Sequence, residues 1–542
     1  MRRTWLIIAA VAVMVAGAGT VWFLRRGDGP EEAAERYLAA WGRSDFAAMR
    51  ALTADPPADF EQRLTRMRDD LGAVRQGFTL GGVDDDGGSY HADLTLAGDR
   101  KWSYTGSFKL TERDGGWRVV WSPAVLYPGL KEGQRVQSTR VWPKRATIQA
   151  ADGSDLSASP SGSVRQIAGP VGAATDEIAR KLGAPYRKGD PAGVDGLNRQ
   201  YEKRLAGTPA QTVQIVDAQG RTVQNLKGFG GQEGRPLRTT LDPKAQRAAG
   251  QALTDVDKPA SLVAVRPSTG EILAVANKPG GYNRALMGQY PPGSTFKVVT
   301  AAALVADGLR TTDRVGCPAT TAIGGFTFKN AKFESFGTVP FKEAFAHSCN
   351  TTMADLTTRR LSDERLTRVA EQFGFNAPII AGLPAVRARF PKNKDATALA
   401  SASFGQGQVL TSPLNMAGVA AAAANGTWRS PRLVDTATAA QALDAGGRRP
   451  EPPKPLEPGV RRALRTLMPA VVSEGTAAKV DFPAGTAGKT GTAEFGSGED
   501  PPTHAWFIGY RGDLAFAVLV EDGGTGAGTA APIAASFLRA VD

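Results

Sequence analysis

Histidine and cysteine are the scarce residues of this 542-residue chain, which holds three histidines (His91, His347 and His504) and two cysteines (Cys317 and Cys349). Two cysteines exclude a Cys-rich zinc module or a disulfide scaffold. Three scattered histidines leave little for a His-rich metal site or a serine-histidine triad. Long runs of like charge are missing too. The formal net charge is +12, yet beyond the arginines around the N-terminal apolar stretch the cations come no longer than pairs, such as Lys144-Arg145 and Arg461-Arg462. No aromatic platform interleaves them, so nucleic acid is not an expected partner, and a solvated surface accounts for the excess. Glycine (63) and proline (35) stay below the share that marks a low-complexity chain, and 42% hydrophobic with 22% charged residues is a globular balance. At about 150 residues per domain, this length predicts three or four domains.

One long apolar run is present. From Thr4 to Leu24 the chain carries no charge and is flanked by Arg2, Arg3, Arg25 and Arg26, which is enough to span a bilayer. The run continues past the small residues Ala16-Gly17-Ala18 through Val21-Trp22-Phe23-Leu24, so the expectation is an uncleaved anchor over residues 1–28 and not a cleaved signal peptide. Arginines balance across it and do not orient it. No cysteine lies near for lipid attachment.

The rest reads as an α+β multidomain protein. Residues 29–132 open with an amphipathic helix, Glu31 to Trp41, with Ala34, Tyr37, Leu38 and Trp41 on one face. Alternating strands follow at Tyr90–Leu96, Trp102–Leu110 and Trp117–Trp121. Its histidine, His91, sits inside a strand and is expected at the surface or as a satisfied core residue, not in catalysis. Residues 133–235 are rich in turns, with a strand at Thr212–Val216, the turn Asp217-Ala218-Gln219-Gly220, and a Gly-rich linker from Gly228 to Arg235. Residues 236–542 read as one large domain. A hairpin opens it (Leu262–Val265 and Ile272–Ala276), and helices follow at Pro413–Ala424 and from Val460, the latter stopped or kinked at Pro469. Strands return at Ala505–Tyr510 and Leu514–Val520 before a last helix, Pro532–Val541. Strands at both ends predict an antiparallel sheet closed by the two ends of the domain, between helical layers.

Three short clusters in this domain carry chemistry. Pro291-Pro292-Gly293-Ser294-Thr295-Phe296-Lys297 enters a helix through a Pro-Gly turn. The i, i+3 spacing sets the Ser294 hydroxyl and the Lys297 amine on one face. Where histidine is scarce a neutral lysine can activate a serine, and helix-end potential plus a second nearby cation would strip its proton. Ser348-Cys349-Asn350 follows an apolar helical stretch and offers a hydroxyl and an amide two residues apart. Gly488-Lys489-Thr490-Gly491-Thr492 is no phosphate loop, because Pro483 stands where that motif needs glycine. Read as an edge strand, it supplies a cation for a carboxylate (Lys489), two hydroxyls (Thr490 and Thr492) and a glycine (Gly491) where a substrate backbone can come close. Each cluster alone is unremarkable: a helix-capping serine with a solvated lysine, a polar turn, and a Gly-Thr turn.

In order and spacing the three together resemble the Ser-x-x-Lys, Ser-x-Asn and Lys-Thr-Gly motifs of penicillin-recognising serine acyltransferases. Phe404-Gly405-Gln406-Gly407 followed by Thr411-Ser412-Pro413, and the run Lys489 to Glu494, are similar to the transpeptidase domain of penicillin-binding proteins. Arg145 to Gly153 and Gly196 to Glu202 resemble the pedestal or dimerisation domain of class B members, and residues 29–132 the nuclear-transport-factor-2-like extension that some of them carry. Class A members would need a glycosyltransferase domain, for which about 100 residues are too few. The resemblance implies a peptidoglycan D,D-transpeptidase that cross-links D-Ala-D-Ala stem peptides without cofactor or metal. In that scheme Ser294 is the nucleophile, Lys297 its base, Ser348 the proton relay and Asn350 the peptide clamp. Lys489 with Thr490 binds the terminal carboxylate beside Gly491 and Thr492, and the backbone N–H groups of Ser294 and Thr492 form the oxyanion hole. β-Lactams are the implied inhibitors, a SEDS-type glycan polymerase the implied partner, and an extracytoplasmic face of a single-pass anchor the implied location. In that oxidising setting Cys317 and Cys349 are expected to form a disulfide. Two alternatives stand beside this reading: a D,D-carboxypeptidase, in which water replaces the acceptor amine, and a silent β-lactam sensor or scaffold. A class A β-lactamase would want a Glu-x-x-Leu-Asn motif after Ser348, and none occurs.

Overall fold

The computed structural model of the chain describes residues 29–84, 86–157, 159–498 and 501–542. The expected anchor, Thr4 to Leu24, lies outside the described residues. Among the described residues no helix is long and apolar enough to cross a membrane. The chain forms two compact units. One holds the described residues up to Arg145 with Thr175–Gly189 and Ala206–Gly234; the other holds Ala146–Ala174, Asp190–Leu205 and Arg235–Asp542. The turn-rich stretch 133–235 is thus shared between them.

In the first unit, helices α1 (Pro30–Gly42), α2 (Phe46–Ala51) and α3 (Phe60–Leu71) pack on a five-stranded sheet. The sheet's strands β1 (Thr53–Ala54), β2 (Ala73–Asp84), β3 (Gly87–Leu96), β4 (Arg100–Arg113) and β5 (Gly116–Val120) lie in the order β1-β5-β4-β3-β2. The predicted amphipathic face is the buried one: Ala34, Tyr37, Leu38 and Trp41 are all at most 3% exposed. Trp41 stacks on Phe78 with ring centroids 4.0 Å apart. Tyr90 faces Gly106 across β3 and β4, and a Cβ at Gly106 would sit 2.2 Å from the Tyr90 ring, so only glycine admits that tyrosine. His91 lies exposed beside Asp93. A second sheet orders β8 (Thr222–Phe229), β7 (Ala210–Val216) and β6 (Arg135–Val141). Gly228 belongs to β8 and pairs with Thr212, so the Gly-rich linker begins later than the sequence indicates: ladder pairing overrides glycine's loop preference there.

The second unit is built on five antiparallel strands. In order they are β10 (Ile272–Lys278), β9 (Ala260–Val265), β13 (Leu514–Val520), β12 (Thr503–Arg511) and β11 (Ala487–Glu494). The opening hairpin joins the C-terminal strands through β9 and β13, with Val263 opposite Ala517. β9 is buried along its whole length, as its unbroken apolar run requires of a central strand. Helix α4 (Pro243–Ala252) and the last helix, Ala531–Val541, pack together beside the sheet. Between the hairpin and β11 come α5 (Lys297–Ala306), α6 (Phe341–Ala346), α7 (Asn350–Arg360), α8 (Ala396–Ser403), α9 (Pro413–Asn425) and α10 (Val460–Ser473). Alanine-rich α9 lies close on β9, β12 and β13, capped by Ser412 and ended by left-handed Gly426. Of the two outcomes read from sequence at Pro469, a stop or a kink, the stop does not occur: helix α10 runs through Pro469. Its buried Leu464, Leu467, Met468, Ala470 and Val471 hold the helix together across the missing N–H. Ala146 to Gly153 and Gly196 to Glu202, of the pedestal-like segments, lie in this unit, where Ile148, Ala150, Leu197 and Tyr201 share the main hydrophobic core.

Candidate active site

Ser294 sits on a short 3-10 turn, Gly293–Phe296, which runs straight into α5. The expected helix therefore starts as a tight turn, and Ser294 does not cap it. Two glycines make that turn possible. Gly405, from the Phe404–Gly407 cluster, has φ +75° and accepts the Gly293 N–H through its carbonyl at 2.9 Å; a Cβ on Gly405 would lie 2.2 Å from the Gly293 carbonyl oxygen. The Thr411-Ser412-Pro413 cluster braces the approach, since Thr411 and Tyr290 exchange backbone hydrogen bonds of 2.8 and 2.9 Å. Among the described residues the half-buried Ser294 hydroxyl has no hydrogen-bond partner, as suits a group reserved for a ligand.

Lys297, one turn on, is fully buried. Its Nζ donates to the Ser348 carbonyl at 2.5 Å and to Asn350 Oδ1 at 2.7 Å, and lies 3.1 Å from Ser348 Oγ. Burial, and secondarily the charge of Lys489, push its pKa well below the ordinary lysine value. Two carbonyl oxygens satisfy the two N–H groups of a neutral amine, which leaves its lone pair for a hydroxyl proton.

Ser348 and Asn350 owe their placing to the junction of α6 and α7. The Cys349 N–H returns to the Ala344 carbonyl and the Ser348 N–H to Phe345, each at 3.0 Å, with Ser348 at φ +60°. This is a Schellman ending whose left-handed position normally takes glycine. A serine there accepts backbone strain and gains a hydroxyl beside Lys297. Asn350 opens α7, and its Nδ2 donates to the Lys329 carbonyl at 2.9 Å. Cys349 is joined to Cys317 by a disulfide with Cα atoms 6.0 Å apart. Next to that bridge, Asn330 donates to the Pro318 carbonyl and accepts from the Thr351 N–H at 3.1 Å, so the 317–330 segment is fastened to the start of α7.

The third cluster lies on β11, the free edge of the sheet. Lys489 is fully buried, its Nζ 5.8 Å from the Phe345 ring centre and 3.1 Å from the Thr490 carbonyl. Burial lowers its pKa to about 7. The Thr490 hydroxyl meets that of Thr476 at 2.6 Å. Gly491 also has a packing role that the sequence did not show: a Cβ there would meet Thr295 Cγ2 at 2.8 Å, Trp506 Cβ at 3.0 Å and the Pro292 carbonyl at 3.1 Å. What it admits is the protein's own serine turn, and β11 packs against that turn because nothing projects between them. The Thr492 carbonyl faces the same turn, 2.7 Å from a Cβ placed on Gly293. In a strand a residue's N–H and C=O point to one edge, so the Thr492 N–H is directed toward the Ser294 side as well. Sequence reasoning missed Thr476, Asn330 and Phe345; they reach the site only through the tertiary fold, and no local spacing marks them. Among the described residues no group of three or more metal-ligating side chains occurs.

Comparison with known proteins gives three family matches along the chain. Residues 260–539 match the penicillin binding protein transpeptidase domain, 153–239 the penicillin-binding protein dimerisation domain, and 29–134 the NTF2-like N-terminal transpeptidase domain. The peptidoglycan D,D-transpeptidase PbpA of Mycolicibacterium smegmatis is 34% identical over 362 residues, covering 56% of this chain and 71% of that protein. Penicillin-binding protein A of M. tuberculosis, solved as a ceftriaxone acyl-enzyme, is 30% identical with a TM-score of 0.50, over 57% of this chain and 80% of that one. PBP2 of Pseudomonas aeruginosa is 25% identical with a TM-score of 0.61, over 74% and 96%. The chain belongs to the penicillin-binding protein transpeptidase family. Its dimerisation and NTF2-like domains place it with the class B members.

Proposed function

We propose that this penicillin-binding peptidoglycan D,D-transpeptidase of cell-wall synthesis works through an acyl-enzyme on Ser294. The observation that carries the assignment is the buried Lys297 amine, its proton affinity lowered and its N–H groups held by Ser348 and Asn350, one turn from an unpartnered serine hydroxyl. Lys297 takes the Ser294 proton as Oγ attacks the penultimate D-Ala carbonyl of a stem peptide. The oxyanion forms between the N–H groups of Ser294 and Thr492, where one donor is typically worth about 3 kcal/mol. Collapse breaks the peptide bond, and Ser348 relays the proton from Lys297 to the departing D-Ala amine. Asn350 holds the stem peptide, while Lys489 and Thr490 hold the terminal carboxylate. An amine from a neighbouring stem then attacks the acyl carbonyl and closes the cross-link, losing a proton to Lys297, which returns it to Ser294 Oγ as that oxygen departs. A β-lactam enters the same cycle and stops at the acyl-enzyme.

Stem peptides ending in D-Ala-D-Ala lie outside the cytoplasmic membrane, so this reading places the catalytic unit outside a single N-terminal anchor, working beside a glycan polymerase of the SEDS type. The test is labelling with a fluorescent penicillin, together with incubation of the purified protein with polymerised lipid II. Cross-linked dimers support the reading. Trimmed tetrapeptides would make the protein a carboxypeptidase, no product would make it a silent sensor, and labelling that survives Ser294→Ala would remove the nucleophile assignment.

A further inference from the structure

The contact between Thr476 and Thr490 joins the third motif to a residue outside all three. Thr476 follows α10, and its N–H donates to the Ala346 carbonyl at 3.1 Å. The preceding Gly475 lies so close to that carbonyl that a Cβ would come within 2.3 Å of its oxygen. Ala346 closes α6, two residues before Ser348. The backbone of Thr476 is therefore fixed to the wall that carries Ser348, while its hydroxyl reaches across to Thr490, on the opposite wall, at 2.6 Å.

Thr490 is nearly buried, at 6% exposure. A hydroxyl has one proton to give and two lone pairs to receive. When a carboxylate, which only accepts, occupies the cleft, Thr490 must donate to it. The remaining hydroxyl, Thr476, can then only donate to Thr490. The two O–H groups line up in one direction, and each strengthens the next.

We propose that Thr476 is a positioning residue for the reaction: its hydroxyl holds the Thr490 proton toward the substrate carboxylate and fixes that donor relative to Ser348. This rests on the reading of Thr490 as a carboxylate ligand.

The experiment compares acylation of the full chain by a penicillin and by its methyl ester, whose carboxylate is masked. Thr476→Val keeps the shape and loses the hydroxyl; Thr476→Ser restores it. The expected result for Thr476→Val is a roughly 10-fold weaker initial binding of the penicillin with little change in the acylation step, no comparable loss for the ester, and recovery to within about 3-fold in Thr476→Ser. Equal losses for penicillin and ester, or no loss for either, would overturn the proposal. Thr490→Val separates the two readings. If it discriminates penicillin from ester and Thr476→Val does not, the positioning role alone fails; if neither discriminates, the carboxylate role of Thr490 fails with it. Thermal melting of each variant identifies a general folding defect, which would weaken ester and penicillin alike.

Discussion

Asn350 Oδ1 accepts from Lys297 Nζ at 2.7 Å, so the side chain assigned to hold the substrate also touches the assigned base. The contact constrains chemistry as well as shape. A neutral amide oxygen leaves the lysine free to give up its proton, whereas a carboxylate in the same place would retain it. Asn350→Asp is expected to slow penicillin acylation about 10- to 100-fold at neutral pH, with activity returning as the pH rises. A pH profile of acylation checks this; an unshifted acidic limb would show that Lys297 does not act as the base.

Lys489, with a pKa near 7, should bend the other side of that profile. Acylation rises with pH as Lys297 loses its proton, then falls above about 7 as Lys489 becomes neutral and its grip on the carboxylate weakens. Lys489→Met removes the falling limb. Because the charge of Lys489 also helps depress Lys297, the rising limb should move to higher pH in the same variant.

The same lysine sets a pH dependence of stability. Its folded pKa of about 7 lies below the ordinary 10.5, so the unfolded chain binds more protons between those values and stability from this group increases with pH across that window. Below about 7 the full cost of burying a charge is present. Lys489→Met should therefore melt higher than the wild type at pH 6, and the gap should close toward pH 10.5. Melting curves at several pH values decide it.

Gly405 and Gly407 give a paired test of the serine turn. Both have positive φ, but a Cβ at Gly405 meets the Gly293 carbonyl oxygen at 2.2 Å, whereas at Gly407 the nearest atom is Ser401 Cβ at 3.6 Å. Gly405→Ala should cost about 2–3 kcal/mol and acylation with it, because the turn must move. Gly407→Ala should cost only the left-handed strain of about 1–2 kcal/mol and leave acylation near normal.

The Cys317–Cys349 bridge closes a loop with a sequence separation of 32. Loop-closure entropy alone assigns it about 3–4 kcal/mol. Paired serine substitutions should lower the melting temperature, and they should weaken acylation further, because the segment next to the bridge carries the Lys329 carbonyl that holds Asn350.

What the sequence made readable was local. The i, i+3 placing of Ser294 and Lys297, the edge strand at Lys489 and the pairing of a first hairpin with last strands follow from periodicity and turn residues. Other features were decided by neighbours far along the chain. Pro469 is tolerated because the residues around it are buried and the turn it interrupts begins at exposed Arg465. Ser348 takes a glycine's conformation and so sets its hydroxyl 3.1 Å from Lys297 Nζ, a placing that local propensity argues against. Gly491 reads as a substrate contact from its motif alone, whereas the atoms of the protein that crowd its missing side chain, from Thr295, Trp506 and Pro292, are brought there only by the fold.

The order of the strands also sets a sequence in time. β9 is made early and finds its inner neighbour, β13, only when residues near 517 exist. The edge that presents Lys489, Thr490 and Thr492 is assembled on β12, which is younger still than β11. While the chain is being synthesised Ser294 therefore exists for some two hundred residues without the Thr492 N–H, without the Lys489 amine and without the strand that packs against its turn. If Ser294 is the nucleophile, as proposed, it is written first and armed last, and a nascent or C-terminally truncated chain would carry the serine without the reactivity.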